Sequence, residues 1–228
     1  MPMSDPVLVA RDGDESLRCV VVRGAGGRAF GAGADISEFE SERRDVEQAV
    51  HYGVVVDAAM TAVATCRHPV VALIEGACVG GGLELACACD LRICGASSRF
   101  GIPINRLGLT MAYAELRALL GVVGPPAAKE ILFSGEIFAA ERAAAMGLIN
   151  RVVADDRVEE EAYGLARRIA AGAPLVNRWH KQFIRRLADP TPLTDEELRE
   201  GYAAFGTEDF RRGYRTFLDK KAPEFEGD

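Results

Sequence analysis

The sequence has few of the residues that metal and redox sites require. Its 228 residues include one tryptophan, three histidines and six cysteines. The histidines, His51, His68 and His180, show no HxxxH or HxH spacing, and no two cysteines form a CxxC pair. Because zinc sites and redox pairs usually carry such spacings, we expect no metal ion in the functional site.

The sequence also lacks a long uninterrupted apolar run. Its most apolar stretch, residues 70–96, carries Glu75, Glu84, Asp90 and Arg92, and these charges exclude a membrane span. The N-terminus has no basic segment followed by an apolar one, so no secretory signal peptide is predicted. We expect a soluble, cytoplasmic protein without a membrane partner.

Positive charge is in deficit. Lys and Arg number 27 against 34 Asp and Glu, which gives a formal net charge of −7. Such a surface disfavours binding to a phosphate backbone, so we expect no nucleic-acid partner. One basic cluster falls on a predicted helix and is interpreted as a solvated surface; its members are Arg178, Lys181, Arg185 and Arg186.

The composition that remains is typical of a globular domain with an apolar core. Hydrophobic residues make up 49% of the chain and charged residues 27%. The cysteines fall mostly within apolar runs, so we interpret them as buried free thiols. They are Cys19, Cys66, Cys78, Cys87, Cys89 and Cys94.

The apolar pattern predicts an α/β body followed by a helical region. Short apolar runs at 18–23, 70–74 and 91–94 are interpreted as buried parallel strands, because strands covered on both faces have near-continuous apolar sequences. After Gly101, helical periodicity dominates. The predicted helices cover residues 45–66, 83–89, 112–120, 126–133, 139–146, 158–171, 175–187, 195–204 and 208–219.

Two glycine-rich loops follow predicted strands. The first, Gly24–Asp35, matches a dinucleotide fingerprint only weakly, because the chain continues as a loop where a long helix should begin. The second ends in Gly80–Gly82, before a predicted helix whose N-terminus could bind a phosphate or a developing oxyanion. Glu84 follows in the first turn, either as a partner of the helix dipole or as an acid/base group. Spacing alone leaves both roles open.

The two loops together closely resemble the enoyl-CoA hydratase/isomerase (crotonase) family. The resemblance is carried by RGAGGRAFGAGAD at 23–35, HPVVALIEGACVGGGLELA at 68–86, GLINRVV at 147–153 and FLDKK at 217–221. It implies an α/β fold, a crotonase-like spiral of ββα units over residues 1–174. It further implies a helical trimerisation region over residues 175–228 and a homotrimer or dimer of trimers.

The resemblance also implies a substrate and a set of site residues. The substrate would be an acyl-CoA thioester, which carries its own coenzyme A, so no separate cofactor is expected. The thioester oxygen would accept hydrogen bonds from the amides of Ala34 and Gly81, beside Glu84 as the catalytic acid/base. Other positions match substrate-binding positions of the family; these are Ala32, Asp35 and Ile36 at the adenine, Gly80 in the second loop, and Phe217 and Lys220 near the nucleotide phosphate. For Lys220, a solvated charged tail is the alternative interpretation.

The sequence departs from the family pattern at Ile104. Hydratases of this family hold a water between two glutamates, and the second should stand directly after Pro103. An isoleucine neither orients water nor transfers a proton. Glu84 could still hydrate a 2-enoyl-CoA if Asn105 or Glu115 placed the water, although the favoured interpretation of Glu115 is an exposed helix residue. The alternatives are a Δ3-Δ2 enoyl-CoA isomerase with one glutamate, other enolate chemistry such as decarboxylation, or a catalytically weak CoA-binding protein.

A further departure lies before the first strand. Family members begin with a strand, a turn and a helix there, whereas only sixteen residues precede Leu17. Val7–Ala10 is interpreted as a remnant of that first strand. We expect either a shortened front or a segment missing from the sequence.

Overall fold

The computed structural model describes residues 13–228, so the interpreted strand at Val7–Ala10 lies outside it. The strands are β1 (Val20–Arg23), β2 (Ala29–Gly31), β3 (Val70–Ile74), β4 (Ala77–Val79), β5 (Leu91–Gly95), β6 (Arg99–Gly101), β7 (Phe138–Ala139) and β8 (Arg151–Val153). The helices are α1 (Phe39–Glu42), α2 (Val46–Thr65), α3 (Gly81–Ala88), α4 (Tyr113–Ser134), α5 (Ala140–Ala145), α6 (Val158–Ala170), α7 (Pro174–Leu187), α8 (Asp195–Glu200) and α9 (Glu208–Leu218).

The strands β1 to β6 alternate between two sheets, after which β7 joins the second sheet and β8 the first. The first sheet has the order β1-β3-β5-β8 and the second the order β2-β4-β6-β7. Pairing is parallel throughout the first sheet, and in the second only the β6–β7 pair is antiparallel. Each pair of strands is followed by helical chain before the next pair begins, which makes a spiral of ββα units. The predicted α/β spiral is therefore confirmed.

The core forms because the central strands are apolar on both faces. On β3, Val71 and Leu73 point to one side and pack with Ile93 against α6, while Val70 and Ala72 point to the other side and join the larger core cluster. All five residues of β3 are fully buried. A strand covered on both faces needs no polar alternation, which is why residues 70–74 are recognisable in the sequence.

Five short strands within residues 13–228 were not predicted from the sequence, namely β2, β4, β6, β7 and β8. Of these, β2 and β4 each have three residues and lie inside a segment interpreted as a glycine loop. A run of three residues is too short to show a period of two, and glycine is disfavoured in strands by its own propensity. Their pairing depends on tertiary contacts instead, and β4 lies between β2 and β6 in the second sheet.

The helical boundaries were largely predicted, with two corrections. Residues 112–120 and 126–133 belong to one element, α4, whose two segments meet at Gly124 with φ of 71° and ψ of 171°. The predicted helix at 195–204 instead ends at Glu200, and a 3-10 turn follows at Ala203–Gly206.

The basic helix α7 packs on the core, and its interpretation as a solvated surface was wrong for three of the four residues. Arg178 is partly buried and donates to the Leu17 carbonyl at 3.5 Å. The Lys181 ammonium donates to Asp90 at 2.7 Å and to the carbonyl of His68 at 3.1 Å, with only 10% of its side chain exposed. Arg186 pairs with Glu197 of α8 and also donates to the carbonyl of Pro192 at 3.1 Å. The Lys181 contacts hold α7 against the sheets, whereas the Arg186 contacts join α7 to α8.

Asp209, in the first turn of α9, holds the end of the chain. It is 2% exposed, and its carboxylate accepts from the amides of Glu226 at 2.9 Å and Gly227 at 2.8 Å. The Arg18 guanidinium, just before β1, donates to the Phe225 carbonyl at 2.6 Å. The tail therefore connects the last helix to the start of the first sheet.

Candidate active site

The two glycine-rich segments meet backbone to backbone. Gly31 ends β2 and Gly82 is the second residue of α3, and a Cβ on Gly82 would lie 2.3 Å from the Gly31 carbonyl oxygen. No side chain fits in that space, so glycine is required for β2 and α3 to pack this closely. The contact places the end of the first loop beside the N-terminus of α3.

The two loops also lie close together at Gly33 and Gly81, beyond the contact between Gly31 and Gly82. A Cβ on Gly33 would lie 3.9 Å from the Gly81 nitrogen, so Gly33 is in contact with the second loop. Ala34 is the next residue after Gly33, and its amide lies at this contact. Neither the Ala34 amide nor the Gly81 amide donates to an acceptor within residues 13–228. Gly81 is the first residue of α3, where no preceding turn can supply an acceptor. Two unpaired N–H donors therefore lie on adjoining loops.

Helix α3 is fixed at both ends. At its start, Gly80 adopts φ of 53°, and its amide donates to the Gly101 carbonyl on β6 at 2.9 Å. At its end, the buried Arg92 guanidinium donates to the carbonyls of Ala86 at 3.2 Å, Cys89 at 2.7 Å and Leu148 at 2.7 Å. A cation among C-terminal carbonyls stabilises a helix that is otherwise only eight residues long.

Glu84 projects from the first turn of this fixed helix. Its Oε2 lies 3.7 Å from the position that a Cβ on Gly81 would occupy, so the carboxyl group lies beside the Gly81 backbone. Burial raises the pKa of Glu84 to about 7, and the negative charge of Glu115 adds to the increase. A carboxyl group that titrates near neutral pH can both donate and accept a proton.

Glu115 lies in the first turn of α4, which packs against α3. It is partly buried, so its interpretation as an exposed helix residue was wrong. Its Oε2 accepts from the Ala112 amide at 2.7 Å, which fixes the carboxylate at the helix start. One of its two oxygens remains for a further donor. The structure thus brings a second carboxylate close enough to affect the titration of Glu84.

Ile104 and Asn105, which follow Pro103, have other contacts in the structure. The Ile104 side chain is partly buried and packs against the main core cluster. Asn105 is exposed, and its Nδ2 donates to the Phe133 carbonyl near the end of α4 at 2.9 Å. The side-chain amide of Asn105 therefore donates to a carbonyl at the C-terminal end of α4, whereas Glu115 lies at the N-terminal end of that helix.

Sequence analysis overlooked Arg43, which ends α1. Its guanidinium carbon lies 3.4 Å from the ring centre of Tyr52 and 4.6 Å from that of Phe39. Its positive charge acts on Glu84 and lowers the pKa of that carboxyl group, against the larger effect of burial. The i, i+4 spacing of Phe39 and Arg43 is visible in the sequence, but the contact with Tyr52 depends on the corner between α1 and α2.

The remaining predicted substrate-binding residues are exposed. Ala32, Asp35 and Ile36 follow β2, and the Asp35 carboxylate accepts from the amide and hydroxyl of Ser37, which lowers its pKa. Phe217 and Lys220 lie at the C-terminal end of α9 with exposed side chains. The contacts of all five residues with coenzyme A stay predictions.

The cysteines are free thiols, as predicted; five are buried and Cys19 is partly buried. Burial raises the pKa of Cys87, Cys89 and Cys94 to about 12, so these thiols remain protonated at neutral pH. Within the described range, no group of three or more His, Cys, Asp and Glu side chains is placed to hold a metal ion. Nor does any helix between residues 13 and 228 have the length and apolarity needed to cross a membrane.

Comparison with solved structures gives the class of the fold. An enoyl-CoA hydratase/carnithine racemase from Magnetospirillum magneticum is 49% identical and superimposes with a TM-score of 0.95, covering 97% of this chain and 83% of that one. An enoyl-CoA hydratase/isomerase family protein from Hyphomonas neptunium is 39% identical with a TM-score of 0.92, covering 97% and 85%. The fold is that of the crotonases.

Sequence comparison identifies the family. The sequence profile of enoyl-CoA hydratase/isomerase matches residues 5–228. The short-chain-enoyl-CoA hydratase of Clostridium acetobutylicum is 32% identical over 223 residues, which is 96% of this chain and 84% of that protein. The chain belongs to the enoyl-CoA hydratase/isomerase family, as its two glycine-rich loops indicated.

Proposed function

We propose that the protein is an enoyl-CoA hydratase that adds water across the double bond of a 2-enoyl-CoA. The observation that carries this proposal is the position of Glu84, whose carboxyl group has a pKa of about 7 and lies beside the Gly81 backbone. The relatives of this protein support an enoyl-CoA substrate, since they include proteins named short-chain-enoyl-CoA hydratase and crotonyl-CoA hydratase.

The oxyanion forms where the two loops meet. When water adds to the β-carbon, negative charge moves onto the thioester oxygen, and the amides of Ala34 and Gly81 donate to that oxygen. Both donors belong to the backbone and are positioned before the reaction begins, and each contributes about 3 kcal/mol of transition-state stabilisation. The N-terminal end of α3 adds the positive end of its dipole.

The two carboxyl groups divide the proton transfers. The raised pKa of Glu84 keeps it largely protonated below pH 7, so it donates a proton to the α-carbon. Glu115, held by the Ala112 amide, accepts a proton from the water as its oxygen bonds to the β-carbon. Transfer of that proton from Glu115 to Glu84 through solvent restores the starting state. Glu115 therefore takes the place of the glutamate absent at Ile104.

Hydration of crotonyl-CoA by the purified protein tests the proposal. We expect Glu84→Gln to lower kcat about 100-fold or more, because general acid catalysis typically contributes at least that factor. Glu196→Gln, at an exposed position on α8, is the matched control and should leave kcat unchanged. Equal activity in wild type and Glu84→Gln would overturn the role of Glu84, and absence of turnover would leave a CoA-binding protein.

The packing of Ile104 into the core favours one alternative, a Δ3-Δ2 enoyl-CoA isomerase. Such an enzyme moves a proton between the α- and γ-carbons with one carboxylate and needs no bound water. Glu115→Gln separates the two functions. If the protein is a hydratase, this variant loses hydration, whereas an isomerase converts a 3-enoyl-CoA regardless of Glu115 and hydrates negligibly.

A further inference from the structure

The peptide group between Gly80 and Gly81 contains one of the two donors proposed for the thioester oxygen. Its carbonyl oxygen accepts from the amides of Leu83 at 2.8 Å and Glu84 at 3.0 Å. The peptide group is trans and planar, so its N–H points in the direction opposite to its carbonyl. The Gly81 N–H therefore points out of the N-terminal end of α3, and its direction depends on the position of Gly80.

Gly80 is held on its other side by β6. The Gly80 amide donates to the Gly101 carbonyl at 2.9 Å, which extends the parallel pairing of β4 with β6 by one residue beyond Val79. Gly80 then leaves the sheet with φ of 53° and ψ of −126°, a conformation that suits glycine and is strained for any residue with a side chain. The last hydrogen bond of this ladder thus lies directly before the turn into α3.

Gly101 itself has no freedom to move. A Cβ on Gly101 would lie 2.4 Å from the Glu136 carbonyl oxygen and 2.8 Å from Ile137 Cδ1. The neighbours of Gly101 in the chain, Phe100 and Ile102, are fully buried and belong to the main core cluster. A side chain at this position would have to displace β6, and the Gly101 carbonyl would move with the strand.

We propose that Gly101 is a positioning residue, whose carbonyl fixes Gly80 and thereby the direction of the Gly81 N–H. The inference rests on the proposed function, which assigns that N–H to the thioester oxygen. A donor stabilises the transition state only where the developing charge lies, and a misplacement of about 1 Å can lower the rate about 100-fold. The Glu84 amide donates to the same Gly80 carbonyl, so the acid group and the donor share one anchor.

The absorption spectrum of a bound conjugated thioester reports the donor without relying on turnover. Hydrogen bonds to the carbonyl oxygen of p-dimethylaminocinnamoyl-CoA draw electron density from its ring and shift its absorption maximum to longer wavelength. We expect this shift with wild type, whereas Gly101→Ala should lose about half of it or more and lower kcat for crotonyl-CoA about 10- to 100-fold, with KM little changed. Gly95→Ala is the matched control, because Gly95 ends β5 in the other sheet and a Cβ there would lie 2.3 Å from Asp155 Oδ1. It should keep the full shift.

A second variant removes the hydrogen bond without adding a side chain. Glycolic acid incorporated at position 80 by in vitro translation replaces the Gly80 N–H with an ester oxygen and leaves Gly101 intact. We expect the same losses of shift and kcat as in Gly101→Ala. The same exchange at Gly147 is the control, since its φ of 77° is also positive and its amide donates to the Ala144 carbonyl at 3.0 Å. This control should keep both properties.

The outcomes separate this inference from the proposed function. Full shift and full kcat with glycolic acid at position 80 overturn the role of Gly101, whether or not Gly101→Ala folds. Equal losses in either control also overturn it, because they would follow from general destabilisation. Hydration of crotonyl-CoA with a shift independent of position 80 removes only this inference. A shift that depends on the Gly80 hydrogen bond, in a protein that does not hydrate crotonyl-CoA, removes only the proposed function.

Discussion

The carboxyl groups of Glu84 and Glu115 lie on two packed helices, and the charge of Glu115 raises the pKa of Glu84. Burial of the Glu84 carboxyl group is the larger cause of that increase, and Glu115 adds to it. Arg43 opposes this effect from the corner between α1 and α2. One charge of each sign therefore acts on the pKa of Glu84.

The first prediction concerns the pH dependence of hydration. If Glu84 donates the proton, kcat/KM should fall as pH rises above about 7, the pKa of its carboxyl group. Glu115→Gln removes a negative charge and should lower the pKa of Glu84. The decrease in kcat/KM, measured on the activity that this variant retains, should therefore begin at lower pH. Arg43→Gln removes a positive charge and should move it to higher pH. Shifts in the opposite directions would contradict the arrangement.

The second prediction concerns stability. The Glu84 carboxyl group ionises near pH 4.5 in the unfolded chain but near pH 7 in the folded protein. Between these values the folded state binds more protons, so its contribution to stability declines as pH rises. Glu84→Gln removes this penalty and should raise the free energy of unfolding at pH 8 by about 1–3 kcal/mol, with little change at pH 4. Urea unfolding at both pH values provides the measurement, and an equal change at both would argue against it.

The third prediction concerns the contact between Gly31 and Gly82. A methyl group on Gly82 would overlap the Gly31 carbonyl, so Gly82→Ala should destabilise the fold by about 2–4 kcal/mol and displace the Gly81 amide. Gly53→Ala is the control, since Gly53 lies within α2 with no atom near its Cβ position. Because alanine has the higher helix propensity, the control should gain about 0.5–1 kcal/mol in thermal unfolding. Similar effects from both variants would contradict the close packing.

The fourth prediction concerns the attachment of α7 to the first sheet. Lys181→Met leaves the Asp90 carboxylate without its ammonium partner, which should lower the free energy of unfolding by about 3 kcal/mol. Arg185 lies on the same helix with an exposed side chain, and Arg185→Met should change stability by less than about 0.5 kcal/mol. Chemical denaturation of both variants compares them directly, and equal losses would refute a special role for Lys181.

The sequence was sufficient to predict what depends on local pattern or on a long motif. The strand at 70–74 and the helix bearing Glu84 follow from apolar runs and glycine placement, and the family follows from the two loops. It was insufficient for features created only by packing. The strands β2 and β4 form through pairing between glycine segments, and Lys181 becomes buried only when α7 reaches Asp90.

The residues of the candidate site fall into the same two groups, those in a local motif and those brought together only by packing. Gly81 and Glu84 were recognisable because they lie in one contiguous motif. The role of Glu115 was left open and Arg43 was not predicted, because each acts on Glu84 from a separate element of the fold. Electrostatic effects depend on distance in space, and periodicity along one helix contains no information about a charge on another.

The buried guanidinium of Arg92 has a consequence for the empty protein. Two of its three carbonyl partners, Ala86 and Cys89, lie at the C-terminal end of α3, and the third, Leu148, ties that end to a later segment of the chain. The C-terminal end of α3 is therefore held by the protein itself. A ligand that binds at the other end of an ordered helix loses less free energy of association than one that must order a flexible loop.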